Sequence, residues 1–365
     1  MFISHARGVH GAEAVMVQAI RACAARGVRV TVVVPSIVPD QGMEEALRNI
    51  ADVRILALPY RAAGVHVCRT ALVRLYNARA IRALTQYVQR EKVDTIYSSS
   101  SITILGAALA QATGVRHVWH FHEPVDRRFG WHPSMTSLYR RMVSQTDRII
   151  CISKAQQGEW EQTLGLQLPN AKIVYNPIKR IETTSPEPHE GIRVGFIGHF
   201  EERKNIPTLV RVFERLHTTQ PNTSLWLCGA TGEEDRRYIA EMTPMQSPVL
   251  EILPQTQDVA SFYSRIDILV LPSWRETMPL VVLEAMQAGV CVLQTDRSGM
   301  KELIADGQES LFFAPENEGG LYTLLEQCCT DAEYRQQIAV AGQKKAQELV
   351  NHSSFDEQIQ KNLCE

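Results

Sequence analysis

The chain has 365 residues, 45% of them hydrophobic and 21% charged, a balance that excludes a disordered chain and leaves enough apolar residues for two cores. No apolar run approaches the ~20 residues that span a bilayer, which excludes a helical membrane-spanning protein. Net charge is −2, but residues 1–180 carry 23 Lys and Arg against 12 Asp and Glu, while residues 181–365 carry 15 against 28. A first half at +11 beside a second at −13 suggests that the first half meets an anionic surface or substrate, with unequal surface decoration as the plain alternative.

Apolar, β-rich runs alternate with amphipathic helical stretches along the whole chain. Strands are predicted at 2–4, 28–34, 53–57, 95–98, 116–120 and 148–152, then at 193–197, 224–228, 249–253, 268–271 and 290–294. Helices are predicted between them, at 12–26, 73–91, 206–218 and 280–288. The alternation predicts an α/β protein with parallel sheets covered by helices on both faces. The strand ending at Val34 is apolar on both faces, as a doubly covered strand should be. One Pro-rich, polar linker stands out, from Asn176-Pro177 to Gly191, and the charge changes sign there. The chain is therefore divided into an N-terminal Rossmann-like domain, 1–176, a C-terminal one, 192–333, and closing helices, 334–365. Ligands of such sheets bind outside the carboxyl ends of the strands, so two of these edges facing one another make an interdomain site.

Eight cysteines are scattered without a C-x-x-C pair (Cys23, Cys68, Cys151, Cys228, Cys291, Cys328, Cys329 and Cys364), which fits buried thiols in a reducing compartment. The N-terminus has no apolar signal-peptide core. The expected location is cytoplasmic, with any membrane contact peripheral, at the inner face of the cytoplasmic membrane.

Chemistry-bearing residues gather at predicted strand ends. Gly8-Val9-His10-Gly11-Ala12-Glu13 follows the first strand and opens a helix, and its glycines allow close backbone approach to a phosphate or sugar. It is not G-x-G-x-x-G, so a nicotinamide-dinucleotide reading is weak. His117–Pro124 ends a strand, with His120 and His122 on the face opposite Trp119 and Phe121. Arg127, Arg128 and Trp131, then Arg140 and Arg141, interleave cations with aromatics. They suit an anionic membrane face or a lipid diphosphate, and no nucleic-acid motif accompanies them. Gly195–Asn205 makes a second strand-to-helix turn, with His199, Arg203 and Lys204 at its mouth, suited to a pyrophosphate. The richest stretch is Pro272–Gly289. A strand there runs into a turn carrying Glu276 and Thr277. A helix is then expected to open at Pro279, offering the N–H groups of Met278, Leu280 and Val281 to an anion, with Glu284 inside the helix. Ser298-Gly299-Met300-Lys301-Glu302 is either a ligand-contacting turn or a helix cap.

The Pro272–Gly289 string resembles the E-x7-E segment of retaining glycosyltransferases of the GT-B fold, in particular family 4. The Gly8–Glu13 loop is similar to that family's G-G-A-E loop, with His10 in place of one glycine. The Gly198–Lys204 turn is similar to its Gly-Arg-x4-Lys pattern, with His199 in place of the arginine. The resemblance implies a GT-B architecture whose last helices, Tyr334–Asn362, cross back onto the first domain. It implies a retaining transfer of sugar from a UDP- or GDP-sugar donor to a glycan or polyprenyl-diphosphate-linked acceptor, in bacterial cell-envelope polysaccharide or lipopolysaccharide synthesis. His122, with His120 as the fallback, and Glu276 would handle the donor sugar. Glu284 would hold ribose, Lys204 with His199 or Arg203 the diphosphate, and Thr256 the base. No D-x-D motif is present, so no metal or other cofactor is expected. The rival readings are a GT-B sugar-nucleotide epimerase or phosphorylase, and a non-catalytic nucleotide-binding module.

Overall fold

The computed structural model describes residues 1–9, 11–37, 41–61, 67–125, 133–182, 185–232, 235, 249–352 and 354–364, with the backbone alone for 67–72 and 74. Two units divide the chain, Met1–Pro177 with Ser354–Glu365, and Ile178–Ser353.

In the first unit the strands are β1 (Phe2–Ile3), β2 (Val30–Pro35), β3 (Val53–Leu58), β4 (Thr95–Ser99), β5 (Arg116–Phe121), β6 (Arg148–Cys151) and β7 (Ala171–Ile173). They form one sheet in the order β3-β2-β1-β4-β5-β6-β7, and every pairing is parallel. The helices are α1 (Ala12–Ala24), α2 (Gly42–Leu47), α3 (Val67–Glu91), α4 (Ile104–Thr113), α5 (Thr136–Ser144) and α6 (Lys154–Leu164). The period of two sorts the strands between faces. Val32 and Val34 of β2 join a core with α1, while Val33 joins the opposite core with α3 and α4. That double burial is why the strand reads as an unbroken apolar run.

The second unit repeats the plan. β8 (Ile192–Ile197), β9 (Thr223–Ala230), β10 (Leu250–Pro254), β11 (Ile268–Leu271), β12 (Cys291–Thr295) and β13 (Leu311–Phe313) form a parallel sheet in the order β10-β9-β8-β11-β12-β13. Its helices are α7 (Ile206–Thr219), α8 (Val259–Tyr263), α9 (Leu280–Gln287), α10 (Glu318–Thr330) and α11 (Ala332–Asn351).

The last helix, α12 (Phe355–Cys364), belongs to the first unit. Phe355, Ile359 and Leu363, four apart, lie on one stripe and enter the α1 core. Gln360 donates to the Ala22 carbonyl at 2.6 Å, and Arg116 donates to the Asn362 carbonyl at 2.9 Å. The closing helices therefore part company between Asn351 and Phe355: α11 stays on α9 and β12, and α12 alone returns. Both sheets reverse their winding once, between β1 and β4 and between β8 and β11. Loops leaving neighbouring strands in opposite directions open a crevice at those two points.

Candidate active site

In the second unit the crevice between β8 and β11 is tightly built. Where β8 and β9 end, Gly229 has φ 135°, and a Cβ on it would lie 2.0 Å from the Gly198 carbonyl oxygen, so only glycine fits. Beyond Gly198 the chain makes one turn of 3₁₀-helix over Glu202–Lys204 and reaches Asn205, which is buried with φ 53°. The Asn205 amide donates to the Pro272 carbonyl at 3.1 Å, and the Trp274 N–H donates to the Arg203 carbonyl at 3.0 Å. These bonds lock the loop after β8 to the loop after β11.

The lock brings Lys204 Nζ within 2.6 Å of Glu276 Oε1, with both side chains almost wholly enclosed, 12% and 8% exposed. The Glu276 backbone is fixed in turn. Its N–H donates to the Arg297 carbonyl at 2.9 Å, its carbonyl accepts from the Gly299 N–H at 3.3 Å, and it forms a parallel bridge with Ser298. Burial works to raise the Glu276 carboxyl, but the adjacent Lys204 ammonium and the Arg203 guanidinium outweigh it and hold the group below its ordinary value. Arg203 is itself ion-paired to Glu201, and His199 stands exposed on the same loop. Ser298 Oγ accepts from the Met300 N–H at 3.2 Å, so that turn is a helix cap in this structure.

Downstream of Glu276 come half-buried Thr277 and buried Met278, then α9. The helix opens at Leu280, where the predicted stretch 280–288 begins, with Pro279 one place before it and not inside its first turn. Pro279 is extended (φ −74°, ψ 109°) and serves as the cap, accepting from the Val282 N–H at 3.2 Å. Amides in the first turn, those of Leu280 and Val281, have no acceptor within the helix. One turn on, Glu284 Oε2 accepts from the Tyr263 hydroxyl at 3.1 Å. Burial raises the Glu284 carboxyl, only partly offset by Tyr263 and Lys179. Tyr263 was invisible in the sequence, because it lies in a five-residue helix, α8, that carries no motif. Thr256 Oγ1 accepts from the Asp258 N–H at 3.0 Å, and Asp258 caps α8. The threonine therefore shapes the turn leading into the Tyr263 helix.

In the first unit the crevice lies between β1 and β4, beside the end of β5. Trp119 and Phe121 enter one core, as alternation requires. His120, on the other face, is fully buried, with Nδ1 2.5 Å from the Tyr97 hydroxyl. The strand thus buries the ring that the resemblance held as the fallback for His122. His122 is one residue past the strand and 8% exposed, its ring centroid 4.1 Å from that of His120. Burial lowers its pKa from 6.5 to about 4 despite Glu123 and Glu13 nearby, so the imidazole is neutral at pH 7. Glu123 is a clamp that the sequence did not reveal. It accepts from Ser100 Oγ at 2.5 Å, from the Ser101 N–H at 2.8 Å and from Ser101 Oγ at 2.7 Å. It thereby fixes Ser100 at φ 78°, a strained value for a non-glycine residue. Glu13 of α1 lies 2.9 Å from His5 Nδ1. Gly11 caps α1 with φ 42°, and a Cβ there would meet no described atom within 4 Å. His10, Arg127, Arg128 and Trp131 lie outside the described residues. Arg140 and Arg141 are exposed on α5, where Arg140 donates to the Leu164 carbonyl and closes the end of α6.

Residues 9–180 match the family model described as Glycosyltransferase Family 4, and residues 178–345 match that of Glycosyl transferases group 1. The chain belongs to the family 4-like glycosyltransferases of the GT-B fold. An uncharacterized glycosyltransferase of Haemophilus influenzae is 24% identical over 65% of this chain and 66% of its own length. The glycogen synthase of Mycobacterium tuberculosis is 25% identical over 65% of this chain and 60% of its own. The matches thus span less than two thirds of these relatives. Among solved structures, the Anabaena protein HepE in complex with UDP and glucose superposes with a TM-score of 0.79 at 17% identity, covering 99% of this chain and 98% of that one. The family and fold implied by the Pro272–Gly289 string are thus met. Among the described residues no helix is long and apolar enough to cross a membrane.

Proposed function

We propose that this glycosyltransferase is a metal-independent, retaining hexosyltransferase that takes its sugar from a UDP- or GDP-sugar and passes it to a glycan or lipid-linked acceptor of the cell envelope. The observation that carries the reading is the enclosed Lys204–Glu276 pair at the β8/β11 switch point, next to the start of α9. A diphosphate at the Leu280–Val281 amides would meet the positive end of the helix, with Lys204 and Arg203 or His199 beside it, which supplies the role a metal has elsewhere. Glu284, with Tyr263 orienting one oxygen, suits ribose hydroxyls. Glu276 suits the donor sugar's hydroxyls, and Thr256 stands as the candidate at the base.

In this reading the acceptor hydroxyl attacks the anomeric carbon on the face from which the diphosphate leaves. Its proton passes to the departing phosphate oxygen, and configuration is retained. Glu276 is an ion-paired hydroxyl acceptor and not a nucleophile. Neutral His122 orients the sugar and shields its other face. UDP is the first base to test, because HepE was solved with UDP and glucose. A thermal-shift panel of UDP-, GDP- and ADP-sugars tests the donor, since a ligand at 100 times its Kd adds about 2.7 kcal/mol. Product anomers followed by NMR test retention, and turnover surviving EDTA tests metal independence. Release of nucleotide diphosphate without acceptor-dependent sugar transfer would sink the proposal.

A further inference from the structure

The largest block of unbalanced charge in the first unit lies away from the Arg/aromatic segment after β5. From Val53 to Arg90 the chain holds seven arginines and no acidic residue. Helix α3 presents part of this block on one face. Ala80, Leu84 and Val88 turn inward to the core, together with buried Asn77. The opposite stripe, Leu75, Arg79, Arg82, Gln86 and Arg90, repeats three and four apart and is exposed throughout. Leu75 is 75% exposed and its neighbour Tyr76 44%, and these are two of the four large hydrophobic side chains exposed among the described residues.

The patch is also held in place. Asn77 accepts from the Arg61 N–H at 3.0 Å and donates to the Arg61 carbonyl at 2.9 Å. That fixes Arg61 so that its guanidinium lies 5.4 Å from the centre of the Tyr76 ring. A leucine, a tyrosine and the guanidinium groups of Arg61, Arg79 and Arg82 therefore share one surface, while Arg90 at the far end of the stripe is paired to Glu91 at 3.0 Å.

Nucleic acid would satisfy the arginines but leave Leu75 in water. A bilayer of anionic lipid satisfies both, since aliphatic side chains enter the acyl boundary, tyrosine suits the headgroup level and arginines grip phosphates. We propose that α3 docks the first unit on an anionic membrane surface, with Leu75 and Tyr76 inserted and Arg61, Arg79 and Arg82 on lipid phosphates.

The test is flotation of the full-length protein with vesicles of phosphatidylcholine alone or with about 30% phosphatidylglycerol, a bilayer surface charge of the kind polybasic faces recognise. Expected is binding to the anionic vesicles only, weakening as salt rises. Replacing Arg79 and Arg82 by Gln together should weaken it about 25-fold, at about fivefold per arginine. Leu75→Gln should weaken it about tenfold or more. Leu75→Lys, which adds charge but removes insertion, should also weaken it. Melting temperatures should not move, because all these positions are exposed. No binding to anionic vesicles, equal binding to neutral ones, or variants that float as well as the wild type would overturn the proposal. So would the same variants abolishing a dimer or retention on an oligonucleotide, which would assign the face to a second copy or to nucleic acid. Flotation uses no nucleotide, so its failure and failure of the donor reading register in different assays.

Discussion

Replacing Lys204 by Ala removes the ammonium 2.6 Å from the Glu276 carboxylate, whose side chain is only 8% exposed in the wild type. Stripping one member from a buried ion pair costs about 3–5 kcal/mol, because the remaining charge has lost its compensation. For a unit of this size each kcal/mol moves the midpoint by about 2–4 °C, so the second unit should melt roughly 6–20 °C lower. The pH dependence gives a sharper test. In the wild type the Glu276 carboxyl is held below its ordinary 4.5. Its contribution is therefore fully present above pH 4.5 and is lost as pH falls through the lower folded value. In Lys204→Ala the largest influence holding the carboxyl down is gone and Arg203 alone opposes burial among the cations, so the folded pKa moves up and the loss of stability in acid shrinks.

Calorimetry of the full chain between pH 3.5 and pH 7 would follow both terms. A companion variant, Lys204→Met with Glu276→Leu, should recover most of the loss, since an apolar pair of similar volume carries no desolvation cost. A Lys204→Ala protein that melts within a degree of wild type, or that keeps the wild-type slope in acid, would refute the claim that the pair is enclosed and coupled.

Three further outcomes are expected. His122, lowered from 6.5 to about 4, opposes folding in acid, so stability it contributes above pH 6.5 is lost as pH falls toward 4. His122→Asn should remove up to about 3 kcal/mol of that slope in urea titrations, leaving the part due to buried His117 and His120. Glu284→Gln should weaken UDP binding by about 1.5–3 kcal/mol, or roughly 10- to 150-fold by calorimetry, while leaving the melting temperature near wild type. Gly229→Ala must move a Cβ away from the Gly198 carbonyl at a φ of 135°, and should cost at least about 1–3 kcal/mol by thermal melting.

Much of this architecture is legible because parallel sheets impose double burial. β2, β8 and β11 read as largely apolar runs bounded by glycine or polar turns. β7 and β13 did not, because three-residue edge strands carry too little pattern to separate from loop. Helix α3 starts at Val67, six residues before the predicted Val73, because the apolar spacing of its first turns is weak. At the site, Glu276, Lys204 and Glu284 were each visible as local motifs. Their partners were not: Lys204 lies 72 residues from Glu276, Tyr263 lies 21 from Glu284, and Glu123 lies 22 from Ser101. Long-range hydrogen bonding leaves no periodic trace in a single sequence. The burial of His120 left no trace either, because the Tyr97 hydroxyl 2.5 Å from its ring sits on another strand.

The Glu276 carboxylate and an anion at the same helix start repel one another. Under the proposed reading a diphosphate rests at the start of α9, four residues beyond Glu276. Two like charges 4 Å apart repel by about 4 kcal/mol at an effective dielectric of 20. Lys204 cancels the carboxylate, but one ammonium cannot serve Glu276 and a phosphate at full strength. Glu276→Gln should therefore release Lys204 to the phosphates. UDP alone should bind as tightly as to wild type or up to about tenfold tighter, while sugar transfer falls by orders of magnitude because the carboxylate that receives the sugar's hydroxyls is gone. Calorimetry with UDP beside turnover with UDP-sugar separates the two effects. If UDP affinity collapses together with turnover, Glu276 is holding the pocket together, and its assignment to the donor sugar fails.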